Sequence, residues 1–282
     1  ITPNTDGDWL NQRNPAFQTF TPIADEPGAL FAAHSRGVET TRDAWCYNFS
    51  HKAVEANMTR MIDYYNQQVN EAISGRDLSN DPTQISWSRN IRRMAEKGKS
   101  QAYDPSHLRA EALYRPFTKE AVYFDPIFNS VPGKNAAYFP TPTHDNIGFY
   151  IVGVGAVKPF SVLALSDVPD LNLFGSEGGQ FFPRWTYERA DSSDQDALPD
   201  PGDAVDEWGY RRVDNITDQA LKGYRDAFGP QVSTDDIFSY VYAVLHSPQY
   251  RAMFAADLKR MLPRIPLAAS RDDFERFVDA GT

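Results

Sequence analysis

Cysteine is almost absent from this chain of 282 residues: Cys46 is the single thiol, so neither an intrachain disulfide nor a cysteine-ligated metal centre can form within it. With so little cysteine, a reducing cytoplasm is the expected compartment. Long apolar runs are lacking as well. The longest mostly apolar stretch, from Ile147 to Leu165, is interrupted by three glycines, Lys158 and Pro159, whereas a membrane-spanning helix needs about 20 predominantly apolar residues. No membrane partner is therefore expected. The sequence begins at Ile1, with neither a methionine nor the basic and apolar regions of a signal peptide, and reads as a segment of a longer polypeptide.

The usual signatures of nucleotide and metal chemistry are incomplete. Gly153-Val154-Gly155 lacks the third glycine of a dinucleotide loop and runs on through Lys158-Pro159 into another strand-like segment, which suits a bent strand or hairpin better. Gly175-Ser176-Glu177-Gly178-Gly179 lacks the Gly-Lys-Ser/Thr ending of a phosphate loop. The five histidines (His34, His51, His107, His144, His246) include no i, i+4 pair. Asn14-Pro15-Ala16-Phe17 approaches the Asn-Pro-Pro-aromatic site of adenine N6-methyltransferases, but the second proline is missing and thirteen preceding residues are too few to supply the cofactor-binding strands. No catalytic residue, metal ligand or cofactor pocket is assigned to this segment.

What is present is an ordinary globular composition, 41% hydrophobic and 23% charged, with an uneven distribution of charge. The formal net charge is −10, which taken alone argues against a polyanionic partner. Residues 188–207, however, hold eight acids against the lone Arg189, so the rest of the chain is close to neutral. Residues 76–119 have nine basic side chains and five acidic ones. A basic stripe and an acidic loop can therefore occupy different faces.

Period and punctuation give the coarse organisation. The first fifty residues mix turns with short apolar runs, Leu30 to Ala33 and Trp45 to Phe49, and suit strands and tight connections. From Ser50, a good N-cap, apolar residues at Val54, Met58, Met61, Ile62, Tyr65, Val69, Ala72 and Ile73 predict one face of a long helix ending at Gly75. A short basic helix is expected around Ser86 to Lys97, two strands about a turn over Leu113 to Asp125, and further strands at Ala137 to Phe139, Ile147 to Val154 and Phe160 to Leu165. Beyond Tyr187, about thirty residues rich in Asp, Pro, Ser and Gly read as a loop. Near the C-terminus Ser233 and Asp236 form a capping box for a helix burying Ile237, Val241, Val244 and Leu245. His246-Ser247-Pro248 ends it and starts a second helix, expected to turn Tyr250, Met253, Phe254, Leu258 and Met261 inward. The prolines of Pro263-Arg264-Ile265-Pro266 force the exit to be an extended strap. The expected fold class is α+β: a mainly antiparallel β region flanked by the long helix and the C-terminal helical hairpin.

Basic side chains interleaved with aromatics mark the middle of the chain: Trp87, Arg89, Asn90, Arg92, Arg93, Lys97, Lys99, Arg109, Tyr114, Arg115 and Lys119. Arginine and lysine neutralise phosphates, and Arg and Asn pair with base edges in the major groove. The same residues also suit a solvated surface helix followed by a hairpin.

Several words of the sequence carry a resemblance. Asp236-Ile237-Phe238, Tyr240-Val241-Tyr242-Ala243-Val244-Leu245-His246-Ser247-Pro248, Tyr250-Arg251, Leu258-Lys259-Arg260 and Pro263-Arg264-Ile265-Pro266 resemble the C-terminal specificity region of the single-polypeptide Type ISP restriction-modification enzymes. Gly7-Asp8-Trp9-Leu10, Thr41-Arg42-Asp43-Ala44-Trp45, Tyr47-Asn48-Phe49 and Tyr114-Arg115-Pro116-Phe117 agree in the same order. The chain departs from that pattern at Glu39-Thr40-Thr41, where an Asn is expected before Arg42, and at Arg184-Trp185.

The resemblance implies a target-recognition domain that directs adenine N6 methylation and DNA cleavage performed by other domains of a parent chain. AdoMet, ATP and Mg2+ would then be cofactors of the parent, with none in this segment. The implied partners are double-stranded DNA and the upstream methyltransferase and helicase domains. Residues 1–75 are expected to abut the methyltransferase, 76–187 to form a β-rich DNA-facing portion, 188–218 an acidic loop and 219–282 a helical scaffold. The candidate DNA-binding set is Arg36 and Arg42, expected near the methyltransferase junction, with Arg89, Asn90, Arg92, Arg93, Lys97, Lys99, Arg115 and Lys119. The alternative is a docking module that couples methyltransferase and ATPase domains without reading DNA.

Overall fold

A computed structural model of the chain describes residues 13–190 and 204–282. The described residues form two compact units, each assembled from discontinuous segments: residues 36–145 with 166–176 make one, and residues 13–35, 146–165, 177–190 and 204–282 the other. Both mix helices with mainly antiparallel sheets, the α+β class expected.

The unit containing residues 36–145 is organised by the helix His51–Ile73. Ser50 caps it, its side chain accepting from the Ala53 amide. Val54, Met58, Met61, Ile62, Tyr65 and Val69 are buried as the periodicity demands, whereas Ile73, expected on the same stripe, is exposed in the last turn. The helix packs on a four-stranded sheet in the order Tyr47–Asn48, Thr118–Tyr123, Leu108–Arg115, Val168–Pro169, antiparallel except for the last pair. The two strands expected over Leu113 to Asp125 are there, the first starting five residues earlier. In place of the strand expected at Ala137 to Phe139, Asn135–Tyr138 is a short helix, with the buried Asn135 amide donating to the Arg36 and Pro132 carbonyls at 2.8 Å. The run Ala136-Ala137-Tyr138-Phe139 is apolar but has no alternation to separate strand from helix.

The other unit is centred on the strand Gly148–Val152, all five residues of which are buried. It lies between Gly179–Pro183 and Val162–Leu165, antiparallel to both, and Ser35–Arg36 lies at the outer edge, where the chain leaves this unit. Glycines set the spacing here: a Cβ on Gly148 would lie 2.3 Å from the Phe181 ring, and one on Gly179 would lie 2.1 Å from the Tyr150 ring. Gly179 of the second glycine-rich word is thus used for close packing, and Gly153-Val154-Gly155 sits in the connection between paired strands, as expected. Phe149 stacks on Phe182 at 5.3 Å and meets the edge of Phe31 at 5.6 Å. Burying such a ring contributes about 1.5–3 kcal/mol.

Helices Asp218–Phe228, Thr234–His246, Pro248–Met253 and Arg271–Gly281 complete this unit. The capping box of Ser233 and Asp236 is formed, both bonds being present. Ser247 ends one helix and caps the next, with Pro248 in its first turn. Tyr250, Phe254 and Leu258 point inward, but Met253 is 62% exposed, against expectation, because the helix breaks at Phe254 and reorients. The extended strap is confirmed: Arg264–Ile265 pairs with Thr21–Pro22, and Tyr240 and Tyr250 donate from the two hairpin helices to the Pro266 and Arg264 carbonyls at 2.8 and 2.7 Å. The last helix packs tightly on Thr234–His246, with Phe274 stacked on Phe228 at 4.6 Å.

The region read as one acidic loop is structured at both ends. Trp185–Arg189 pairs antiparallel with Tyr210–Asp214, and helix Asp218–Phe228 starts from the Thr217 cap. Most of the acids, at 191–203, lie outside the described residues.

The hairpin joining Leu108–Arg115 to Thr118–Tyr123 turns through Pro116 and Phe117, and Phe117 has φ +65° while 92% exposed. Proline followed by positive φ is the pattern of a type II turn, where Gly or Asn is favoured and a bulky residue is strained by about 1–3 kcal/mol. Phe117→Asn removes the strain and forfeits almost no burial, so denaturant unfolding should show a stability gain of about 1 kcal/mol. A loss of stability would show that the Phe117 ring is held by contacts.

Candidate nucleic-acid interface

The short basic helix is observed as Arg89–Glu96, with Ser88 as N-cap. Ile91 and Ala95 are buried beneath it, on the side facing the long helix. Spacing of four residues then places Arg89, Arg93 and Lys97 on one outward ridge, about 12 Å from end to end. All three are exposed, as are Asn90 and Lys99. Glu96 is the one acid within this segment, and among the described residues none of Arg89, Arg93, Lys97 and Lys99 forms an ion pair.

The support under the ridge is specific. Trp87 donates from Nε1 to the Ser79 carbonyl at 2.7 Å, and its ring lies 6.1 Å from Tyr65. The Tyr65 hydroxyl donates to the Lys99 carbonyl at 2.7 Å, and Asn66 exchanges two hydrogen bonds with the Gln101 backbone. The segment after the helix is therefore pinned to the long helix while the lysine side chains stay in water.

The other candidate residues fare differently. Arg92 is half-buried, bonded to Asn80, with its guanidinium 5.4 Å from the centre of the Trp87 ring. Arg115 pairs with buried Asp170 at 2.6 Å and stacks over Tyr114 at 3.9 Å. Burial raises the Asp170 carboxyl to about 6 despite this pairing. Lys119 bridges Glu111 at 2.8 Å and Asp167 at 3.0 Å, and these bonds raise its pKa. Arg36 is exposed at the end of its strand.

Arg42, expected to face DNA, does not. It is 2% exposed, with its guanidinium donating to the Thr40 and Ser86 carbonyls at 3.0 and 3.2 Å, and burial lowers its pKa. Arg109 is likewise internal, donating to the Ser106 and Pro140 carbonyls, with burial lowering its pKa to about 10. Sequence shows the charge of such residues but not the tertiary contacts that take them inside.

Sequence reasoning also passed over the cations of the ribbon Trp185–Arg189 and Tyr210–Asp214. Arg189 and Arg212 are exposed there, and two guanidiniums lie over the Trp185 ring, Arg184 at 3.7 Å and Arg212 at 4.3 Å. The available signal was the alternation at the start of Trp-Thr-Tyr-Glu-Arg, hidden by the acids that follow it.

Comparison with known proteins adds to this geometry. Among solved structures, the chain is similar to a nuclease-deletion mutant of the Type ISP restriction-modification enzyme LlaGI in complex with a DNA substrate mimic, at 32% identity and a TM-score of 0.81. It is also similar to the ATP-dependent Type ISP restriction-modification enzyme LlaBIII bound to DNA, at 29% identity and 0.82, and to the protein of a DrdV–DNA complex, at 28% and 0.81. All of this chain is covered in each case, and it spans 20%, 17% and 27% of those chains respectively. No curated protein matches. The profile of the Type ISP C-terminal specificity domain matches residues 29–282, and the chain belongs to that family.

Proposed function

We propose that this chain recognises a specific double-stranded DNA sequence on behalf of a restriction-modification enzyme, directing adenine N6 methylation and cleavage carried out by other domains of a parent polypeptide. The observation that carries the reading is the ridge of Arg89, Arg93 and Lys97: three exposed cations on one helix face, without carboxylate partners among the described residues. Unpaired cations at one-turn spacing match a polyanion, since a duplex carries about one charge per 1.7 Å of its axis. The three solved relatives were each captured with DNA or a DNA mimic, which supports the same assignment. Arg36, Asn90 and Lys99 are exposed enough to join the interface. Arg115 and Lys119 are half-satisfied by carboxylates and would contribute less. AdoMet, ATP and Mg2+ would be held by the methyltransferase and helicase portions of the parent, which would be this domain's protein partners.

Replacing Arg89, Arg93 and Lys97 together by Ala should weaken binding to a fluorescent random-sequence duplex. The plot of log affinity against log salt should become shallower by about 0.9 for each phosphate left without its cation. The thermal transition should be unchanged, because all three side chains are exposed. Unaltered affinity and slope would remove the ridge from the interface.

A second reading, a module that docks the methyltransferase against the ATPase without reading DNA, is favoured by Phe117, a strained and 92% exposed aromatic at a hairpin tip. Exchanging this domain between two parent enzymes distinguishes the readings. A DNA-reading domain carries its methylated sequence with it, and a docking module leaves that sequence where it was.

A further inference from the structure

Two arginines approach the same tryptophan, and only one of them is fully engaged by the fold. Arg184 is buried, and all its donor groups are directed at protein acceptors: Nη1 and Nη2 to the two oxygens of Asp214 at 2.7 and 3.0 Å, Nε to Asp235 at 2.7 Å, and Nη2 also to the Thr234 hydroxyl at 2.6 Å. Its Cζ lies over the Trp185 ring, 3.7 Å from the centroid. Arg212 lies over the same ring at 4.3 Å, yet it is exposed, and among the described residues none of its guanidinium N–H groups has an acceptor.

A guanidinium held over a ring face keeps its in-plane donors available, so Arg212 offers an unused donor fork. The strand register explains why the arrangement holds. Trp185 is opposite Asp214 and Tyr187 is opposite Arg212, so Arg212 is the diagonal neighbour of Trp185 on the same side of the ribbon. Tyr187 is buried, and Trp185 is clamped through Arg184. Of the acids on the two strands, Asp214 is engaged by Arg184, and Glu188 is on the opposite side, paired with Arg211.

We propose that the two-stranded ribbon Trp185–Arg189/Tyr210–Asp214 is a second DNA-contacting element, with Arg212 presenting its fork to a planar pair of acceptors on the duplex. The inference rests on the DNA-recognition reading and deepens it, because the ridge on the Arg89–Glu96 helix belongs to the other compact unit. A two-stranded ribbon fits the major groove, and the acceptor pair that matches a guanidinium fork there is O6 and N7 of guanine. A phosphate offers the same bidentate geometry.

The test uses the whole 282-residue chain with Arg212→Ala and Arg212→Lys. Affinity for a fluorescent random-sequence duplex is measured over a range of salt, and bound sequences are selected from a random duplex pool. Arg212→Ala should lose about tenfold or more in affinity for the selected sequence. If Arg212 reads guanine, Arg212→Lys loses similarly and the selected sequences lose a guanine preference at one position. If it holds a phosphate, Arg212→Lys retains most of the affinity and the selected sequences are unchanged. Should Arg212→Ala match the parent chain in affinity, salt slope and selected sequence while the Arg89/Arg93/Lys97 variant binds weakly, the ribbon proposal falls and the recognition reading stands. Failure of the unaltered chain to bind any duplex overturns both.

Discussion

The Arg184 guanidinium is the interaction on which the ribbon's geometry depends. A buried charge costs several kcal/mol unless its donors are met, and here two carboxylates and a hydroxyl meet them. Those acceptors come from different places: Asp214 from the second strand of the ribbon, and Thr234 and Asp235 from the first turn of the helix Thr234–His246. Satisfying one charge therefore fixes the root of the ribbon on the helix that also carries the strap. Asn215, buried next in sequence, extends the clamp: its side chain accepts from the Ala33 amide and donates to the Ala33 and Pro183 carbonyls. Losing either side chain would strand polar groups away from water, which is why a small, polar, two-stranded element can be held stiffly.

The distribution of charge along the chain becomes intelligible once pairing is known. A net charge of −10 describes the whole sequence, but a partner meets only the groups left unpaired at one surface. In the unit of residues 36–145, Arg42 and Arg109 each direct two guanidinium nitrogens at backbone carbonyls, and Arg76, Arg115 and Lys119 direct theirs at carboxylates. The ridge of Arg89, Arg93 and Lys97 is exempt because Ile91 and Ala95 take the buried face of a short helix and leave the opposite face to solvent. Local amphipathicity thus selects which cations remain available.

Signals that lie within a few residues of each other were legible in the sequence. The Ser50 cap, the Ser233/Asp236 box, the Ser247-Pro248 junction and the proline strap each depend on local stereochemistry, and each is found in place. The basic helix was legible for the same reason, but not which of its cations face outward: Arg92, grouped with the others, is half-buried against Asn80 and Trp87. What could not be read required distant segments. The ribbon joins strands that lie on either side of an acid-rich stretch, and the two compact units interleave along the chain, so no change in composition marks them. Arg42 illustrates the same limit from the other side. Its charge is plain in the sequence, while the carbonyls of Thr40 and Ser86 that hold it inside become its partners only in the fold.

The two sets of cations differ in stiffness, and that difference suits different tasks. Arg89, Arg93 and Lys97 extend into water on long flexible side chains, which can follow a phosphate backbone of any sequence but lose rotamer freedom when they bind. Arg212 lies over the Trp185 ring at 4.3 Å, a contact that favours one placement of its guanidinium. Discrimination between bases needs donors whose direction is set before contact, because a donor that reorients to suit each base rejects none of them. On the proposed reading, affinity would fall to the helix ridge and selectivity to the ribbon, whose root is fixed by the buried Arg184 through Asp214, Thr234 and Asp235.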